Sequence, residues 1–137
     1  MRNYPLTFAV ASTLALAFAV RHPEIDLRAV TTVSGDTVRR ARIAKKLLRL
    51  AGRDDIEVAA GERGNVSQAT RNPEAGHEDA MLGDDAREIE ISERDGVSVI
   101  LDLCAAERME VAVVGMQSNI AAALERDPGF AEEVGRV

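Results

Sequence analysis

Tryptophan is absent from this chain, and the only aromatic residues besides histidine are Tyr4, Phe8, Phe18 and Phe130. Single-stranded nucleic acids are held on rows of aromatic side chains, and such stacking platforms are largely absent here. The core must be built from Ala, Val, Leu and Ile. Cys104 is the single cysteine, which rules out an intrachain disulfide. It ends the apolar run Val99-Ile100-Leu101-Asp102-Leu103-Cys104, the setting of a small buried residue. No histidine or basic cluster lies near it in sequence to create a thiolate. Gly61-Glu62-Arg63-Gly64 has neither the lysine nor the strand-to-helix context of a phosphate-binding loop. There is no Ser-His-Asp signature and no internal repeat. Nor is there any Asp or Glu before Glu24.

What is present suffices for one domain. A chain of 137 residues can bury about two-thirds of its unfolded surface. The net charge of −6 is unevenly spread: ten Lys/Arg stand against three Asp/Glu up to Arg53, and seven against twenty beyond it. The acidic part argues against whole-surface contact with nucleic acid. The asymmetry favours association between the two halves or between copies. Arg39, Arg40, Arg42, Lys45, Lys46 and Arg49 make one basic amphipathic run. Such a run can meet an anionic membrane or a nucleic acid, but its commoner role is the solvated face of an outer helix. Neither a nucleic-acid nor a membrane partner is expected.

Local signals divide the chain. Residues 1–6 read as a poor strand, because Pro5 removes a ladder donor. Residues 7–21, dominated by Ala and Leu, read as a helix that His22-Pro23 ends. Residues 25–33 read as a buried strand, lacking strict alternation as parallel strands do. Ser34-Gly35-Asp36-Thr37 is a turn in which Asp36 or Thr37 caps a helix over 38–51, stopped by Gly52. A short strand over 56–60 follows. Residues 61–83 form a long irregular loop, and loops of that length are usually functional or disordered. Residues 88–93 alternate and read as an edge strand or an irregular lead-in. Asp95-Gly96 opens a helix to about 106, and 110–114 is a buried strand. Ser118-Asn119 begins another helix, and Asp127-Pro128 a short last one. Helices alternating with strands imply an α/β fold, a Rossmann-like parallel sheet flanked by helices.

Two segments carry a family resemblance. Thr13-Leu14-Ala15-Leu16 leads into Val30-Thr31-Thr32-Val33-Ser34-Gly35-Asp36, and Val113-Val114-Gly115-Met116-Gln117-Ser118-Asn119-Ile120-Ala121 precedes Asp127-Pro128. Together they resemble the N-terminal half of the inosine-uridine-preferring nucleoside hydrolases, whose strand T-T-V-x-G-N and junction G-P-L-T-N-I-A they match in part. The resemblance implies a single domain over 1–137, truncated relative to the family. It also implies hydrolysis of the N-glycosidic bond of ribonucleosides, with a calcium ion gripping the ribose hydroxyls and acidifying the attacking water. Asp36, His77 (in Gly76-His77-Glu78) and Asn119 stand at substrate-contacting positions, and the backbone of Val114 where a carbonyl would help hold the ion.

The family's aspartate cluster, D-x-D-P-G-x-D-D, is missing. Pro5, Thr7, Ala11 and Ser12 stand where carboxylates belong, and calcium needs several oxygen ligands, mostly carboxylates. No catalytic residue is therefore assigned, calcium binding is not expected, and Asp36 has the plainer role of helix cap. The expectation is a nucleoside hydrolase-like protein with little or no activity. A site completed by another chain, or a small α/β homo-oligomeric interaction module without catalysis, are the alternatives. Residues 1–19 also resemble a secretory signal peptide, with Ala17-Phe18-Ala19 near its end. The segment is too short for a membrane span, and the resemblance runs through it, so a cytoplasmic location is expected, with export as the alternative.

Overall fold

The computed structural model of the chain describes the backbone of residues 2–8, 13–63 and 78–137, and the side chains of 13–63, 80–84 and 86–137. The elements run β1 (Arg2–Phe8), α1 (Thr13–Arg21), β2 (Ile25–Thr32), α2 (Thr37–Leu50), β3 (Glu57–Ala60), α3 (Glu78–Leu82), a 3₁₀ turn (Asp84–Glu88), α4 (Gly96–Ala106), β4 (Ala112–Val113), α5 (Ser118–Arg126) and α6 (Phe130–Glu133). The strands pair in parallel in the order β3-β2-β1-β4. This is the α/β architecture expected from the alternation of elements.

The N-terminus departs from expectation. Residues 2–8 form a central strand, and the helix begins at Thr13 rather than residue 7. Helix propensity alone favoured an earlier start. Pairing with β2 and β4 on both sides supplies ladder bonds that an isolated helical turn at 7–8 could not match. Pro5 leaves its mark: Tyr4 pairs with Leu27 but Leu6 with Val30, so β2 carries one extra residue opposite the proline. A bulge there accommodates the missing donor. It also brings Leu27 and Val30 to the same face of the sheet, where both join one core cluster with Leu16, Ala41, Ala44, Leu48, Ile56 and Val58. Cleavage after Ala19 would remove β1 and most of α1.

α1 and α2 pack on that face. α2 starts at Asp36, whose Oδ1 accepts from Arg39 N at 2.9 Å, and ends before Gly52 at φ +75°. Its basic residues are largely held within the fold. Lys45 Nζ donates to the Asp54 and Ile56 carbonyls, Arg49 pairs with Asp54, and Lys46 Nζ donates to the Leu82 carbonyl. The hydrogen bonds of Lys45 and Arg49 hold the Asp54 carboxyl below the usual carboxylate range.

α4 covers the opposite face, where the sheet presents small residues, Ala29 and Ala59, to Val99. The approach is close: a Cβ on Gly96 would lie 3.0 Å from Gly61 Cα and 3.1 Å from Thr31 Cβ. A second cluster joins Val97, Ile100, Cys104, Met109, Val111, Ile120 and Phe130 beneath α5 and α6. Cys104 belongs to it, and burial pushes its thiol up to about 11. Residues 89–92 are an irregular lead-in and not a strand, although Ser92 N donates to Val58 O on the β3 edge at 2.8 Å. Asp127 does not cap α6. Its Oδ1 accepts from Gly129 N at 2.8 Å in a local turn, and the helix begins at Phe130. β4 is only two residues long, but Glu110 bridges Arg136 in parallel, with Val111 N donating to Arg136 O at 2.7 Å. The tail thus starts to cover the β4 edge.

Candidate functional site at the carboxyl ends of the strands

In open parallel α/β sheets, ligands sit beyond the carboxyl ends of the strands. Here that end gathers the β2–α2 turn, the residues after β3, and the first turns of α4 and α5. Asn119 is at its centre. The side chain is fully buried, although it stands in the first turn of a surface helix. Its Oδ1 accepts from Glu62 N at 2.8 Å, and its Nδ2 lies 3.1 Å from Thr31 Oγ1 and 3.3 Å from the Thr32 carbonyl. Gly61 fits beneath it. A Cβ there would lie 2.3 Å from Asn119 Oδ1 and 2.4 Å from Thr32 O. One amide thus ties the ends of β2 and β3 to α5.

The β2–α2 turn is held as firmly. Ser34 takes φ +70°, a left-handed conformation that a non-glycine residue adopts at a cost. The turn is fixed from several sides. Ser34 N donates to Glu62 O at 2.9 Å. Arg40, itself buried, donates from Nη1 to the carbonyls of Val33 at 3.0 Å and Ser34 at 2.6 Å. Asp36 follows, its carboxylate placed on the α2 N-terminus and 3.5 Å from Arg39 Nε.

A charged latch closes the outer side. Arg126, at the end of α5, donates from Nη1 to Asp95 Oδ1 at 2.7 Å and lies 3.5 Å from Glu62 Oε1. Asp95 is the α4 N-cap, accepting from Val97 N and Ser98 N. Partial burial alone would raise its carboxyl, but the hydrogen bonds from Ser98 and the pairing with Arg126 prevail and hold it at about 2. Beside the latch a cleft of about 580 Å³ is lined by Glu62, Arg63, Met116, Ser118, Ala121, Ala122 and Glu125.

Of the residues singled out from sequence, Asp36 and Asn119 both lie at this end of the sheet, each engaged with backbone N–H groups. Val114 follows β4 and is partly exposed. His77, Ala11 and Ser12 lie outside the described residues, and of Thr7 the backbone alone is described, in β1. Neither the partners of Asn119 nor the latch is marked in the sequence. Thr31 is 88 residues away from Asn119 and Glu62 is 57, and no local pattern links them.

Among the described residues the donor set does not suit a hard divalent cation. Calcium takes about six to eight oxygen ligands, carboxylates prominent among them. Among the described residues no three Asp, Glu, His or Cys side chains converge. Asn119 spends its carbonyl on a backbone N–H, Asp36 caps a helix, and the sequence offers no carboxylate from Met1 to Pro23.

The pattern of the inosine-uridine preferring nucleoside hydrolases matches residues 9–137. This chain belongs to that family. It is 30% identical over 93% of its length to "Probable uridine nucleosidase 2" of Arabidopsis thaliana, of which it covers 42%. Among solved structures, a plant nucleoside hydrolase superposes with a TM-score of 0.79 at 26% identity, over 98% of this chain and 46% of that one. An inosine-uridine preferring nucleoside hydrolase from Bacillus anthracis gives 0.75 at 14% identity, over 99% of this chain and 49% of that one. At that identity the likeness shows the fold alone. The chain spans a little under half the length of these relatives. As a nucleoside hydrolase family member, it carries the family's α/β frame with a strand end closed by hydrogen bonds among its own residues.

Proposed function

We propose that this chain is a nucleoside hydrolase-like unit with little or no N-glycosidic cleavage of its own. One observation carries the proposal: no carboxylate precedes Glu24, so neither the end of β1 nor the start of α1 can supply one. Cleavage needs a water made nucleophilic and a sugar oxocarbenium stabilised, and a bound cation with anionic ligands supplies both. Without those groups the family reaction has no place to occur on this chain. Calcium is not expected to bind. Asn119 and Asp36 act here as structural groups, one tying strand ends together and the other capping α2. If a small molecule is retained, a ribonucleoside is the class suggested by the uridine nucleosidase relative, and the cleft beside Glu62 and Ser118 is the place for it. His77 remains a proposed contact for such a ligand.

The homo-oligomeric interaction module is a second reading, favoured by the exposed apolar residues of α1, Leu14 and Phe18. Calorimetric titration tests the first reading. The proposal expects no heat from calcium, and none from inosine that depends on calcium. Calcium-dependent binding of inosine at micromolar affinity would contradict it.

A further inference from the structure

Asp95-Gly96 is the only aspartate or asparagine followed by glycine in the sequence. Packing and capping each dictate one half of the pair. Gly96 is buried where α4 meets the strand ends, and a Cβ there would lie 3.0 Å from Gly61 Cα and 3.1 Å from Thr31 Cβ. Asp95 is the α4 N-cap, a position that favours a short side chain with an acceptor oxygen. Together the two demands set an unhindered backbone nitrogen directly after an aspartate whose side chain is half-exposed.

We propose that Asp95-Gly96 is a site of spontaneous isoaspartate formation, and that the Arg126 latch sets its rate. Gly96 N attacks Asp95 Cγ. A C–N bond forms, and the amide proton and the carboxyl hydroxyl leave as water, closing a succinimide. Water then opens the ring. Breaking the new Cγ–N bond restores aspartate. Breaking the bond from Asp95 C to Gly96 N leaves the main chain running through Cγ, as isoaspartate. No oxidant, reductant or cofactor takes part, and the mass of the chain is unchanged.

The cap holds the carboxylate away from this reaction. Oδ1 accepts from Val97 N at 3.1 Å, Ser98 N at 3.1 Å and Arg126 Nη1 at 2.7 Å, and Oδ2 accepts from Ser98 Oγ at 2.6 Å. Every one of these donors lies beyond Gly96 in the chain, so Cγ must leave them before it reaches Gly96 N. The hydroxyl departs only from a neutral carboxyl, and the same bonds keep the group ionised, at about 2. Ring closure therefore waits on opening of the first turn of α4, and such a local opening has its own free energy. Arg126 is the donor that comes from another element. Its loss lowers that free energy while the cap itself stays. The product loses both contacts. Isoaspartate carries its carboxylate on Cα and adds a methylene to the main chain, and the added length falls at Gly96, where the approach to Gly61 is close.

The test is incubation of the full chain at neutral pH and body temperature, followed by peptide mapping with electron-transfer fragmentation, which separates isoaspartate from aspartate at equal mass. A free peptide of residues 92–98 gives the unrestrained rate. Isoaspartate should appear at position 95 before any other aspartate, at least about tenfold more slowly than in the peptide, since the first turn must open. Arg126→Ala should speed it by about two- to fivefold, as loss of an exposed ion pair does. The isomerised fraction should melt at a lower temperature than its parent. Should Arg126→Ala fail to fold, Ser98→Ala, which removes the bond to Oδ2, should show the same acceleration. A wild-type rate equal to that of the peptide, a rate unchanged in the folded variant, or isoaspartate at another position and not at 95 would overturn the proposal.

Discussion

Asn119 and Gly61 fit each other by subtraction: a Cβ on Gly61 would lie 2.3 Å from Asn119 Oδ1. The strand end closes because one residue has no side chain and the other has an amide of the right reach. Asn119→Ala should destabilise the chain by about 1–3 kcal/mol, because it takes the acceptor from Glu62 N and removes the amide's bonds to Thr31 Oγ1 and the Thr32 carbonyl. Gly61→Ala should cost about as much, through displacement of the same amide. The two losses should not add. With the amide gone the new methyl group meets one obstacle fewer, so urea unfolding of the double variant should show a coupling of about 1 kcal/mol or more. Simple additivity would mean that the two residues act separately.

Asp36 separates a cap from a ligand. Asp36→Ala should lose about 1 kcal/mol, the usual worth of a side-chain N-cap, and Asp36→Asn should lose little. Calcium should not change the melting temperature of either variant or of the wild type. A calcium-dependent stabilisation that disappears in Asp36→Asn would return the residue to a binding role.

The Asp95 latch fixes a pH dependence. Its folded carboxyl is held at about 2, below its ordinary value of 3.8. A carboxyl lowered in the folded state stabilises above its unfolded pKa, and the contribution is lost as pH falls through the folded one. The stability difference between wild type and Asp95→Asn should therefore be constant above about pH 4.5 and shrink toward pH 2. With the pair half-exposed, the difference should be no more than about 1 kcal/mol. Melting curves across that range that run parallel would show that the pairing does not bear on stability.

Restoring carboxylates should restore metal binding. Thr7→Asp with Ala11→Asp and Ser12→Asp places acids at and just after the end of β1, where ligands gather in open sheets. Calcium should then raise the melting temperature by linkage. A folded triple variant indifferent to calcium would show that these positions do not form the metal site.

Much of the frame could be read from the sequence. α2 and α4 were legible because each announces its start with a side chain, Asp36 and Asp95, before an amphipathic or apolar run. β1 was legible only in part: residues 1–6 read as a poor strand because of Pro5, and Thr7 and Phe8 read as the start of the helix that follows. Only the pairing on both sides decides it. The two residues of β4 could not be bounded, since the ladder there depends on pairing with Leu6 and Thr7 and, beside it, on the bridge from Glu110 to Arg136. At the site, the sequence marked Asp36 and Asn119 but not what they touch. Asn119 spends its hydrogen bonds on groups distant in the chain, and burial of an amide in a first helical turn leaves no local trace. Gly61 read as loop punctuation, whereas its work is to make room.

We propose that the family fold is here without the family's chemistry. Its most direct test is base release from inosine and uridine by the purified chain in excess calcium. The account predicts none above the uncatalysed background, from protein shown to be folded by a cooperative melt. Steady turnover at about 1 s⁻¹ or more, a rate ordinary for enzymes, would contradict it.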